Sequence, residues 1–207
     1  MGLDTIFFVI ILVISVVVHE VAHGFAALAL GDTTAKHAGR LTLNPIPHID
    51  PFGSIILPFI MSLLPGGMVF GWAKPVPFNP YNLKAGRWGP ALVAIAGPVS
   101  NLVIATIFGL GVRFSDILTI SSPAMLEIMQ MIVLLNIVLA IFNLIPIPPL
   151  DGSKILFAAL PYRWRYVEEM IERYQLILIL FVIFFAIELV SPLMFFVFEI
   201  LTGLNIG

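Results

Sequence analysis

Along the chain, long apolar runs alternate with short stretches dense in proline, glycine and charge. Thr5–Leu30, Trp88–Val112 and Pro123–Ile145 are each long enough, as helices, to cross a hydrocarbon core of roughly 30 Å. Gly31-Asp32 ends the first of them by the usual glycine-and-turn logic. Asn44–Gly53 (NPIPHIDPFG) holds too much proline for regular helix. Ser54–Leu64 is apolar but short, bounded by Pro51, Pro58 and Pro65-Gly66-Gly67, and is expected to be re-entrant or tilted. Val69–Pro80 (VFGWAKPVPFNP) looks extended, and its prolines suit an edge or a β-hairpin rather than a central strand. Ser153–Tyr174 is mostly polar. Gln175–Leu201 is a last apolar run, kinked or split by Ser191-Pro192. The pattern predicts an all-α polytopic membrane protein, a bundle of about 4–6 transmembrane helices with a re-entrant segment and a short membrane-associated β-hairpin. It reads as one domain over 1–207, with a core over about residues 5–160 and a C-terminal hydrophobic segment over 175–203.

Composition sharpens this picture. The chain is 60% hydrophobic and 11% charged, with mean hydropathy +1.08, where a soluble domain carries about 25% charged residues. Net charge is −2, so no basic excess points to nucleic acid. Cysteine is absent, which removes disulfides and thiolate metal sites. The N-terminus Met1-Gly2-Leu3-Asp4 has no positive n-region, so no secretory signal peptide is expected. If Ser54–Leu64 does not cross, nine of the ten basic residues (all but Arg113) fall on one side. The positive-inside rule then makes that side cytosolic and puts the N-terminus outside.

Within the first apolar run stands His19-Glu20-Val21-Ala22-His23. Helix positions i and i+4 share a face, so two imidazoles can meet one metal ion, with Glu20 placed to take a proton from a bound water. Ionisable groups at membrane depth cost about 2.5–3.5 kcal/mol each, so three in five residues need a shared reason. One divalent cation supplies it; a polar helix-packing patch is the bland alternative.

A catalytic zinc takes about three protein ligands and a water. Asp50, Glu127, Asp151, Glu188 and Glu199 are the acids near apolar segments. Asp151 is favoured. The third span would bring Asn143–Asp151 back to the depth of His19 and His23, and irregular backbone at depth is tolerated where it lines a cavity. Asn143, eight residues earlier, could hydrogen-bond a substrate carbonyl or oxyanion.

These residues resemble a known family. His19-Glu20-x-x-His23, Gly97-Pro98-x-x-Asn101 and Asn143-x-x-Pro146-x-x-Pro149-Leu150-Asp151-Gly152 look like the motifs of the site-2 proteases, intramembrane zinc metalloproteases. Asn44-Pro45-x-x-His48-Ile49-Asp50-Pro51 and Gly71-Trp72-Ala73-Lys74-Pro75-Val76-Pro77-Phe78-Asn79-Pro80 resemble its short bacterial-type members, and no PDZ or CBS domain is seen. The match runs from Ile6 to about Leu160. The resemblance implies a zinc metalloendopeptidase with one Zn2+ per chain, held by His19, His23 and Asp151, and with Glu20 as base. Its substrates would be transmembrane proteins or peptides in the lipid bilayer, cut from the cytosolic side of a bacterial inner membrane. The family places an asparagine like Asn143 near the active site, and by common proposal presents substrate as an added strand, a role open to Val69–Pro80.

Other readings stay open. Asn101 either supports the site or bonds across helices, and His48 and Asp50 either orient a ligand or cap proline-rich turns. His37 reads as a surface histidine and Lys74 as a snorkelling interfacial cation. A zinc transporter would need polar groups reaching both faces, and often an inverted repeat; here they cluster toward one face and no repeat is evident. A catalytically dead binder is disfavoured by the intact Glu20.

Overall fold

A computed structural model describes residues 3–56, 60 and 73–204. Among these described residues, three helices are long and apolar enough to cross a membrane: α1 (Leu3–Ala29), α3 (Gly89–Arg113) and α4 (Pro123–Asn143). Between the first two lies a single-turn helix, α2 (Thr34–His37). After α4 come α5 (Gly152–Ala159), α6 (Arg165–Arg173) and α7 (Gln175–Thr202). Helices are the natural answer for apolar runs in lipid, because each satisfies its own backbone groups.

Helix ends follow local chemistry. Gly31 adopts φ +103°, which lets α1 close with Asp32 N–H on Ala27 O (2.9 Å) and Gly31 N–H on Leu28 O (3.0 Å). This is a Schellman ending, and a side chain at position 31 would oppose it. Ser122 caps α4, its hydroxyl accepting from Met125 N–H, with Pro123 in the first turn where no backbone donor is missed. The last apolar run is one continuous helix, α7, with Pro192 inside it.

Helix α3 is the central element, packing against α1, α4, α5 and α7. Ala105, Val133, Ile137 and Phe198 form the core where α3, α4 and α7 meet. A second cluster, Ala27, Leu83 and Val93, joins α1 to α3 near their common end. Ile6, Phe7, Val9, Ile10, Val13 and Ile14 on α1, and Val99, Val103 and Ile107 on α3, remain exposed. Helices apolar outside as well as inside are what a lipid environment selects.

One end of the bundle gathers the polar segments. Lys84 N–H bonds Leu30 O just beyond α1, and Arg87 before α3 holds the Ala158 and Leu160 carbonyls at the C-terminal end of α5. At the other end, Arg113 closes α3 on Ile200 O of α7. Most of the segment expected to be re-entrant, Ser54–Leu64, lies outside the described residues; its start belongs to a π-helical turn over Pro51–Ile56. The first part of the expected Val69–Pro80 hairpin also lies outside them, and residues 73–79 form neither helix nor strand.

Candidate metal centre

The site is assembled from three helices and one loop. His19 and His23 stand one turn apart on α1, both buried, with perpendicular rings whose centroids are 4.7 Å apart. Each ring is fixed by a hydrogen bond from Nδ1 to α3: His19 to Asn101 Oδ1 at 2.6 Å, His23 to the Val93 carbonyl at 2.8 Å. A carbonyl oxygen can only accept, so both Nδ1 atoms carry the proton and both Nε2 atoms present lone pairs.

Helix α3 comes this close because of Gly97. A Cβ there would stand 2.5 Å from His19 Nε2 and 2.5 Å from His23 Cε1, closer than non-bonded atoms pack. Pro98 follows inside the helix, where it leaves the Ala94 carbonyl without its usual i+4 donor.

The third group arrives on the turn after α4. The 144–151 stretch winds back through short turns, with Leu150 N–H on Ile147 O at 2.9 Å, and Asp151 stands at the N-terminus of α5. Gly152 allows this, since a Cβ there would collide with the Leu144 and Ile145 carbonyls. Asp151 Oδ2 lies 3.1 Å from His19 Nε2 and 3.2 Å from His23 Nε2.

Three lone-pair donors thus converge, all ligand atoms lying within 4.8 Å of one another. Without a positive charge between them they would repel. A proton could satisfy one nitrogen–oxygen pair, whereas a single cation satisfies all three at once. The donor set suits zinc, and a tetrahedron with bonds of about 2.0–2.1 Å has edges of about 3.3 Å, near the separations found.

Glu20 is held by the 73–79 segment. Its Oε2 accepts from Val76 N–H at 2.8 Å, and one turn on, Gly24 leaves space for the buried Val76 side chain. That segment is anchored again at Lys74, whose N–H donates to His48 O at 2.9 Å and whose carbonyl accepts from Arg40 Nη2 at 2.6 Å. His48, itself buried, donates from Nε2 to Thr42 O and turns Nδ1 toward Arg40. A further clamp joins the end of α1 to the residues before α3. Asp32 accepts from Thr34 N–H and Oγ1, Asn79 N–H and Asn82 Nδ2. Burial opposes its charged form, but these bonds outweigh that and hold its carboxyl down to about 2.

The remaining residues singled out from the sequence fall elsewhere. Asn143 donates from Nδ2 to Leu139 O within its own helix at 2.9 Å. Asn101 does both things weighed for it, receiving His19 and bonding Asn136 across helices. Asp50 caps the Pro51–Ile56 turn through Phe52 and Gly53 N–H. Lys74 contributes backbone, and His37 is exposed. Sequence reasoning takes Gly97 only as part of a motif and does not single out Asn136. The available signal for Asn136 was a lone amide within Met131–Phe142.

The chain aligns with YwhC of Bacillus subtilis (strain 168) at 43% identity over 183 residues, 85% of this chain and 80% of that protein. It belongs to peptidase family M50, the site-2 proteases. The model of that family, Peptidase family M50, matches residues 111–187, which include Asn143 and Asp151. Rip2 of Mycolicibacterium smegmatis is 33% identical over 151 residues, 69% of this chain and 52% of that protein. MJ0392 of Methanocaldococcus jannaschii is 27% identical over 159 residues, 77% of this chain and 36% of that protein. The chain thus spans about half, or less, of the length of these two relatives. The first two relatives carry the name "putative zinc metalloprotease" and the third "zinc metalloprotease". No solved structure matches the chain. As an M50 peptidase it is a zinc metalloprotease of the site-2 type, and the three long apolar helices among its described residues agree with the membrane setting of that family.

Proposed function

We propose that this chain hydrolyses peptide bonds within or beside transmembrane segments of membrane-protein substrates, the chemistry of regulated intramembrane proteolysis. The observation that carries the reading is the convergence of three buried or half-buried lone-pair donors, His19, His23 and Asp151, with a carboxylate, Glu20, next to the first of them. Held by those three residues, a zinc ion supplies Lewis-acid activation of water and of the scissile carbonyl.

The chain's own residues do the rest. Glu20 is the general base. Val76 N–H holds one of its oxygens, and the other takes the proton from water and later delivers it to the leaving amine. Asn143 supports the substrate carbonyl once its amide turns from Leu139 O toward the site. Substrate unwinds along the 73–79 segment, the stretch that already touches Glu20, so scissile bond and base share one support. Polar segments carrying Lys36, Arg40, Lys74, Lys84, Arg87 and Lys154 flank the centre, which favours a cytosolic-side site in a bacterial inner membrane. The full span count of about 4–6 belongs to the same reading.

The test is cleavage of single-span substrates in detergent or proteoliposomes by wild type and Glu20→Gln, with zinc content recorded on both. The proposal expects cleavage inside the apolar segment by wild type, and its loss by at least about 100-fold in a variant that still holds zinc. Undiminished cleavage by Glu20→Gln would refute the role of the base. Cleavage confined to soluble peptides would refute the substrate class.

A further inference from the structure

Behind His19 runs a buried chain of side-chain amides whose direction is set at its far end. Asn136 on α4 donates from Nδ2 to the Ile132 carbonyl of its own helix at 2.9 Å and to Ser15 Oγ on α1 at 3.0 Å. The Ile132 carbonyl can only accept, so the amide oxygen of Asn136 must face the other way. There it accepts from Asn101 Nδ2 at 2.8 Å. Asn101 Nδ2 also reaches the Ser15 carbonyl, at a longer 3.4 Å. With its nitrogen so committed, Asn101 turns Oδ1 to His19 Nδ1 at 2.6 Å. Asn101 and Asn136 are fully buried and Ser15 is nearly so.

We infer that Asn136 is a positioning residue for the metal centre: through Asn101 it selects the tautomer of His19 that leaves Nε2 free as a ligand. The inference rests on the reading of His19 as a metal ligand, but the direction of the relay does not. Were Asn136 reversed, Asn101 would meet an amide nitrogen and would itself reverse, presenting donors to Nδ1. The His19 proton would then reside on Nε2, the atom turned toward Asp151, and the ligand would be lost. His23 has no such dependence, since its partner is a backbone carbonyl that cannot turn. One ligand is therefore held by the main chain and the other by a two-amide relay spanning α1, α3 and α4.

Two substitutions separate this role from packing. Asn136→Asp keeps an acceptor toward Asn101 in either protonation state, and as a neutral acid also keeps a donor toward Ile132 O. Asn136→Leu has the same side-chain branching, with bulkier methyl ends, and keeps neither. A packing role ranks Leu as the better tolerated, since it adds no buried charge; the relay ranks Asp first. The readouts are zinc affinity by chelator competition on the full-length protein and 15N spectra of histidine-labelled, chelator-stripped protein, tractable because the chain has only four histidines. We expect Asn136→Leu to bind zinc about tenfold or more weakly and to show His19 protonated partly at Nε2, while Asn136→Asp stays within about threefold of wild type. Wild-type affinity and a pure Nδ1–H signal in folded Asn136→Leu, or a greater loss in Asn136→Asp than in Asn136→Leu, would overturn it. If Asn136→Leu fails to fold, the wild-type spectrum still decides: Nε2–H on His19 contradicts the relay, and Nδ1–H with near-normal zinc binding in Asn136→Asp supports it. The spectra are read without metal, so a failure of zinc binding is distinguishable from a failure of the relay.

Discussion

Replacing Gly97 by alanine sets two effects of opposite sign against each other. In an exposed helix the change would stabilise by up to about 1 kcal/mol, because glycine is the poorer helix former. Here the new Cβ would stand 2.5–2.6 Å from His19 Nε2, His19 Cε1 and His23 Cε1, and ordinary carbon contacts need about 3.5–4.0 Å. Either both rings or the α3 backbone must retreat by about 1 Å. The rings cannot do so freely, because His19 is tied to Asn101 at 2.6 Å and His23 to Val93 O at 2.8 Å. Overpacking of this kind costs about 1–3 kcal/mol, and one strained or broken ring bond adds about 0.5–1.5 kcal/mol, so the steric cost wins. We expect Gly97→Ala to lose about 1–3 kcal/mol of stability and 10–100-fold in zinc affinity. Thermal unfolding in detergent and chelator competition measure the two. Gly111→Ala is the control, since its Cβ would meet only the flexible end of Met129 and should be near neutral. A Gly97→Ala protein that is as stable as wild type and binds zinc within twofold would refute the close approach on which the site is built.

Further outcomes follow from the same contacts. Asp32 has its carboxyl lowered from 3.8 to about 2. Its stabilising contribution is therefore complete above about pH 3.8 and lost as pH falls through about 2; screening near the aqueous boundary limits it to about 1–2 kcal/mol. Asp32→Asn should remove that part of the acid limb, and an unchanged pH profile of unfolding between 2 and 4 would contradict it. Arg40→Ala removes the donor that holds Lys74 O and should speed amide hydrogen exchange at Lys74 and Val76, with a stability loss of about 1–3 kcal/mol; unaltered exchange there would show that the clamp is dispensable. Stripping zinc should lower the unfolding temperature of wild type by an amount that grows with added zinc on re-addition, and should leave Asp151→Ala unmoved.

Much of the fold was legible because membrane helices announce themselves by length. Trp88–Val112 was expected where α3 runs Gly89–Arg113, and Pro123–Ile145 where α4 runs Pro123–Asn143. His19 and His23 share a face by helical spacing alone, and Asp151 stands out among the five acids because the third span returns it to their depth. The rest depends on how helices rotate against one another, which periodicity in a uniformly apolar run does not encode. Asn136 lies in such a run, and only the packing of α4 on α3 turns it toward Asn101. Pro192 left open whether the last run is one helix or two, since a proline can be carried inside a membrane helix when neighbours support it; the structure carries it through α7. Asn143 shows the same limit: its place eight residues before Asp151 is plain in the sequence, but not that one of its N–H groups bonds Leu139 O within its own helix.

Zinc-edge X-ray absorption on the purified protein, with metal stoichiometry on the same sample and on Asp151→Ala, tests the metal centre most directly. The account predicts one zinc per chain, coordinated by two imidazole nitrogens at about 2.0–2.1 Å and by oxygen at about 2.0–2.2 Å, with the metal lost or the oxygen shell altered in Asp151→Ala. No retained zinc, or a coordination shell indifferent to Asp151, would contradict it.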